Sequence, residues 1–270
     1  MDDHASRPLP VPVVILALVT GILAMGLGAH LDVLGTRGAI VVGQLALLAP
    51  FALSAAALGV SARDAFAWQG VRWRDLALSV GCGLGLWIAS AGLLQLQYAV
   101  WPPPPHVVAF FESLHSRLDL WPPWQGAFSL LAIAVLPAIT EETAFRGALL
   151  GSLRRGLGDR RALLVTAAVF GGIHYWPGGY RIPFTLALGL ALGLLRLRSG
   201  SLVPVVISHA VLNATTVVVA SRFGDVTTPT DTASIGGGMA ALLGGATLTL
   251  AFARALRRDT PTGATGSTLD

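Results

Sequence analysis

Eight apolar runs, at residues 11–29, 39–60, 76–100, 126–150, 162–174, 184–197, 202–220 and 235–253, follow one another along this chain of 270 residues. Most are long enough to cross about 30 Å of hydrocarbon as a helix, which takes about 20 residues at 1.5 Å each. The fifth and sixth are shorter, interrupted by glycine or flanked by Pro183, and are expected to tilt or to be extended by their flanks. Only 12% of residues are charged and the mean hydropathy is +0.69, whereas charged residues approach a quarter of a soluble protein. The expected fold class is therefore all-α, a polytopic integral membrane protein with about eight transmembrane helices. The first run exceeds the apolar core of a signal peptide and is followed by no clear small-residue cleavage site, so it is read as a retained helix.

Arginine gives the expected orientation, because all 18 basic residues are Arg. With alternating loops, one side receives Arg7; Arg63, Arg72 and Arg74; Arg154, Arg155, Arg160 and Arg161; Arg196 and Arg198; and Arg254, Arg257 and Arg258. The opposite side receives only Arg37, Arg117, Arg181 and Arg222, and Arg146 falls inside a span. The positive-inside rule then places both termini in the cytoplasm. The sequence pI near 10.2 reports this topology, and attraction to anionic lipid, rather than nucleic-acid binding, for which a basic face on a soluble domain with interleaved aromatics is missing. The expected location is a bacterial inner or plasma membrane, since a composition rich in Ala, Gly and Arg but without Lys looks like that of a high-GC bacterium.

Cys82 is the single cysteine, which excludes an intramolecular disulfide and a cysteine-based metal cluster; it reads as a small core residue. Residues 101–105, 121–124 and Trp176 set tryptophan and proline at the outer boundary as anchors and helix stops. Between spans three and four, Phe110, Phe111 and Leu114 have the spacing of a short amphipathic helix lying on the membrane. No internal repeat supports a transporter built from inverted halves.

Pairs four residues apart, each with at least one polar member, interrupt the apolar pattern, placing Glu142 with Arg146, Phe170 with His174, and His209 with Asn213 on common helix faces. An ionisable group within a span costs roughly 2.5 to 3.5 kcal/mol on insertion scales, so such residues are functional candidates by default. Pro137 precedes Glu141 by four, removes the backbone bond to the carbonyl of Ile133 and is expected to bend the helix there. Glu142 stands in the favourable order for an ion pair with Arg146, while Glu141 points about 100° away without a local partner. A carboxylate taken out of water is drawn toward accepting a proton, the direction a general base needs. Glu141, His174 and His209 lie 11 to 13 residues from the cytoplasmic arginines, about 16 to 20 Å along a helix, and are expected in one layer. Asn213 adds amide donors of the kind that suit a developing oxyanion. His4, His30, His106 and His115 fall in tail or loop regions and are expected to be solvated.

In order, EETAFRG at 141–147, FGGIH at 170–174 and SGSLVPVVISHAVLN at 199–213 match E-E-x-x-x-R, F-x-x-x-H and S/T-G-S-L…H-x-x-x-N. The chain thereby resembles the CAAX protease and bacteriocin-processing family of intramembrane proteases, also called the abortive-infection family, over residues 131–216. The resemblance implies an intramembrane endopeptidase in which Glu141 and His174 activate water, His209 and Asn213 form the oxyanion site, and Glu142, Arg146 and Phe170 support them. Residues 126–220 would be the catalytic core, 1–125 the preceding helices with the outer amphipathic loop, 221–258 the last helix and 259–270 a disordered tail. The implied partners are a membrane-associated peptide or protein substrate and the lipid bilayer, with no nucleic acid. Eukaryotic members of the family trim prenylated C-terminal motifs, a substrate class not expected in a bacterium.

Other designs fit less well. There is no H-E-x-x-H for zinc and no G-x-S-G followed by a partner histidine for a rhomboid-like serine enzyme. Residues 156–159 read GLGD, but Asp159 stands among arginines without a second intramembrane aspartate and suits a glycine-capped turn. A non-catalytic immunity or scaffold protein and a small-solute transporter are the alternatives to an enzyme. No cofactor is expected; Glu141, His174 and His209 as ligands of Zn2+ are the alternative, with the two-His, one-carboxylate composition of a catalytic site.

Overall fold

The computed structural model describes residues 8–28, 32–117, 120–223 and 235–256. The expected disordered tail at 259–270, and His4 and His30, lie outside the described residues. Among the described residues every regular element is helical. In chain order they are α1 (Val11–Gly28), α2 (Gly35–Ala57), the short α3 (Ala62–Phe66), α4 (Trp73–Val100), α5 (Pro105–Ser116) and α6 (Pro123–Leu130). After them come α7 (Leu136–Glu142), α8 (Leu150–Ile173), α9 (Ile182–Ser199), α10 (Val203–Phe223) and α11 (Ile235–Ala255). Two π-helical segments, Leu131–Val135 and Thr143–Leu149, flank α7.

Seven described helical stretches are long and apolar enough to cross a membrane. The longest, Pro123–Ile173, is 51 residues, far more than one crossing needs. It folds back at Gly158, whose φ of 73° lies in the region that favours glycine. Arg154 and Asp159 pair across this turn at 2.6 Å, so the GLGD segment is a charged, glycine-made corner. Behind it the two arms run antiparallel: Leu150 clusters with Ala162 and Leu163, and Phe145 meets Phe170 at 5.1 Å. Counting both arms gives eight crossings, matching the runs in the sequence.

The bundle is arranged around α7 and its π-helical continuation, all of whose residues from Thr143 to Leu149 are buried. Around it stand α2, α9 and α10, with α1 paired to α2, α8 to α9, and α4 packed between α10 and α11. Large apolar side chains on the outside of these pairs, such as Leu16, Leu27, Leu53 and Leu243, are 60% to 73% exposed once Leu16 at 68%, Leu27 at 73%, Leu53 at 69% and Leu243 at 60% are compared. That is tolerable only where lipid is the solvent; the chain is an integral membrane protein. Trp101, Trp121, Trp124 and Trp176 are exposed at one end of the bundle, the position of an interfacial aromatic belt.

The last helix is held by small residues rather than by large ones. A methyl group at Gly245 would lie 2.3 Å from the Ala89 nitrogen, and one at Gly92 would lie 2.4 Å from the Leu242 nitrogen. Backbones this close exclude any side chain, the usual solution where lipid removes the hydrophobic drive for association. Gly245→Val is therefore expected to destabilise the protein by about 1 to 3 kcal/mol, the usual range for overpacking, as a lower midpoint of thermal unfolding in detergent. An unchanged midpoint would mean that α11 is free to shift.

The S-G-S-L segment between α9 and α10 is a joint. Gly200 takes φ 68° and ends α9, while the Ser201 hydroxyl accepts from the Val203 amide at 3.2 Å at the start of α10. The same hydroxyl donates to the Gln69 carbonyl at 2.7 Å, and the Leu202 amide donates to the Ala67 carbonyl at 2.9 Å. This joint and the loop after α3 thus close over each other beneath the central helix. Phe66 presses against Gly147, where an added methyl would sit 3.0 Å from the Phe66 Cβ.

Candidate active site

Pro137 sits at the start of α7, and the backbone answers it with the preceding π-helical turn, in which the Leu136 amide reaches back to the Leu131 carbonyl. The expected bend ahead of the acids is thus a local widening of the helix. A second π-helical segment begins at Thr143, just after the two glutamates, so α7 is one short regular stretch between two irregular ones. Such segments recur at functional sites because they re-aim the side chains that follow.

The two glutamates have separate environments. Glu142 is fully buried, and its Oε1 accepts from Arg146 Nη1 at 2.8 Å and from His209 Nδ1 at 2.7 Å. Arg146 is also fully buried; it donates to the Gly189 carbonyl at 3.3 Å and lies over the Phe170 ring, its Cζ 4.2 Å from the centroid. Phe170 is the packing hub, since its ring centroid is also 4.7 Å from that of His174 and 6.4 Å from that of His209. The phenylalanine of F-x-x-x-H therefore holds one cation and two imidazoles in fixed relation.

Glu141 instead faces a cavity of about 270 Å³ whose walls include Phe170, His174, His209 and Asn213. All four residues assigned to catalysis by resemblance thus border one space, while Glu142 and Arg146 stand behind its wall. His174 approaches the Phe170 carbonyl through Nδ1 at 2.7 Å. A carbonyl only accepts, so Nδ1 carries a proton and Nε2 is left as the ring's acceptor. His209 is oriented in the same way by the Glu142 carboxylate.

Glu141 does have a partner, although on another helix: Gln44 Nε2 of α2 donates to its Oε1 at 3.2 Å. The Gln44 amide is in turn set by the hydroxyl of Thr140, which donates to its carbonyl oxygen. The sequence carried a signal for this, because Gln44 is an amide side chain within an otherwise apolar span. Gln44→Leu is expected to lower turnover about 10- to 100-fold, the equivalent of losing a hydrogen bond of about 1.5 to 3 kcal/mol to a charged group. Steady-state kinetics would show this in kcat with little change in KM; unchanged kcat would remove Gln44 from the site.

Both imidazoles have the acceptor on Nδ1 that a metal-bound histidine needs, so that requirement does not separate a metal from a metal-free reading. The donor set does. Among the described residues no three His, Cys, Asp or Glu side chains converge into a group that would hold an ion, and Glu141, His174 and His209 do not form one.

Fold and site together define a polytopic membrane protein with an acid, histidine and amide cluster facing a cavity between its helices. Residues 122–215 match the family model described as Type II CAAX prenyl endopeptidase Rce1-like. The match runs from α6 to α10 and contains every site residue named except Gln44. No curated protein and no solved structure matches the chain.

Proposed function

We propose that the protein is an intramembrane endopeptidase that hydrolyses a peptide bond of a membrane-associated substrate by direct attack of water. The observation that supports this best is the meeting of Glu141, His174, His209 and Asn213 around one cavity within the bundle, inside the segment that matches a protease family. Glu141 takes a proton from the attacking water, and His174, with Nε2 as its acceptor, holds that water beside it. As the tetrahedral oxyanion forms, the Asn213 amide donates to it, and His209 donates through Nε2 when its ring carries both protons. The Glu142 carboxylate accepts from Nδ1 of the same ring and fixes its orientation. The proton held by Glu141 then passes to the leaving amine, and no covalent intermediate forms.

The reading requires no metal. Purified protein is expected to cleave at an unchanged rate after exhaustive chelation, with substoichiometric zinc by elemental analysis. Stoichiometric zinc whose removal abolishes cleavage and whose restoration recovers it would overturn the metal-free mechanism. Function is tested by comparing the membrane peptides of cells holding wild-type protein with those holding Glu141→Gln. Fragments present only with wild type are expected, and their absence would favour a scaffold.

A further inference from the structure

The two ends of the bundle differ in charge and in closure, and the two differences coincide. At one end lie the loops before α4 and between α9 and α10, the corner at Gly158 and the end of α11, with ten described arginines. The other end has four, Arg37, Arg117, Arg181 and Arg222, together with α5 and the exposed tryptophans. A bias of ten to four within short loops is a strong orienting signal and puts the arginine-poor end outside the cytoplasm.

The catalytic cavity belongs to that arginine-poor end. Its wall takes Phe111 and Leu114 from α5, Arg181 from the turn before α9, and Phe184 and Thr185 from the first turn of α9. From α4 it takes residues beginning at Trp87, 14 positions into the helix and about 21 Å from its arginine-rich start. The wall includes no residue of the loops at the arginine-rich end. There the site is closed by Glu142, Arg146 and the buried residues after them, then by Phe66 against Gly147 and by the bonds from the Ser201 joint to the loop after α3. A second space of about 770 Å³ adjoins on the same side, lined by Ala39, Ile40 and Gly43 of α2 and by Phe110 and Arg117. Gln44 and Leu114 border both spaces, so the larger one leads directly to Glu141 and its partner.

We infer that the active site opens to the extracytoplasmic side. The substrate is then a membrane-anchored polypeptide with an apolar segment at the level of the outer leaflet, entering between α2 and α5. Toward the other end a space of about 280 Å³ shares Ser90, Phe184 and Leu188 with the cavity and reaches Arg198, but its lining is almost wholly apolar and does not suit a polar cytoplasmic chain. The substrate half of this inference rests on the protease reading, whereas the direction of opening does not.

Single-cysteine labelling tests the opening without any turnover. In a Cys82→Ala background, Ala109→Cys on α5, Gly156→Cys at the arginine-rich corner and Thr216→Cys on the cavity wall are expressed separately in a bacterial host. Each is exposed to a membrane-impermeant maleimide before and after permeabilisation. Ala109→Cys and Thr216→Cys are expected to be labelled in intact cells, and Gly156→Cys only after permeabilisation. Labelling of Gly156→Cys in intact cells, or of Thr216→Cys only after permeabilisation, overturns the opening. The substrate half is read from new N-termini that depend on Glu141. Termini in outward-facing segments support it and termini in cytoplasmic segments overturn it. A protein that cleaves nothing refutes the protease reading, while the labelling still reports the side of the opening.

Discussion

Glu141→Gln is expected to leave the protein folded and to lower cleavage by about 10²- to 10⁴-fold, the usual contribution of a general base. The substitution keeps shape and volume, and the new amide oxygen still accepts from Gln44, so the link between α7 and α2 survives. What is lost is the ability to take a proton from water. The adjacent glutamate gives the internal comparison. Glu142 has its only bonded oxygen shared between Arg146 and His209 and is wholly buried, so Glu142→Gln should disturb stability as well as rate. The two variants together separate a reacting carboxylate from a supporting one. The measurement is cleavage of a membrane peptide by purified protein whose unfolding midpoint matches wild type. Retained activity in correctly folded Glu141→Gln would remove Glu141 from the base role.

Most of the architecture could be read before any coordinates, because apolar length is a direct physical requirement of crossing hydrocarbon. Even the shortest run, ending at His174, was visible, since Gly158 turns the chain back where the arginines cluster. The intrahelical pairs were legible for a similar reason: helical period puts Glu142 on Arg146 and Phe170 beside His174 whatever the rest of the chain does. Contacts between distant segments were not. Spacing says nothing of Gln44 reaching Glu141 across 97 positions, or of Glu142 meeting His209 across 67. The role of Phe170 as a platform beneath Arg146 and both imidazoles is likewise a property of three segments packed together. The close approach of α4 to α11 left only a weak trace, glycines whose register against each other is set by the fold.

Arg146→Ala is expected to cost about 3 to 5 kcal/mol of stability and to reduce activity with it, the range seen when one partner of a buried ion pair is removed. The size of the effect follows from how little else is near. Glu142 Oε2 has no hydrogen-bond partner, so without the guanidinium the carboxylate keeps only His209 on its other oxygen. The Phe170 ring also loses the cation stacked on it, and with it part of what fixes the two histidines. Arg146→Lys should recover little, because a compact ammonium cannot both lie flat on the ring and reach Glu142 and the Gly189 carbonyl. The double variant Glu142→Gln with Arg146→Met separates the two contributions. It removes both charges at similar volume, so stability should return toward wild type. Activity should not return, since His209 then lacks the charged acceptor that orients its ring. Thermal unfolding and cleavage of the three variants decide the matter: Arg146→Ala as stable as wild type would mean that this arginine reaches water, and an active double variant would mean that His209 works without Glu142.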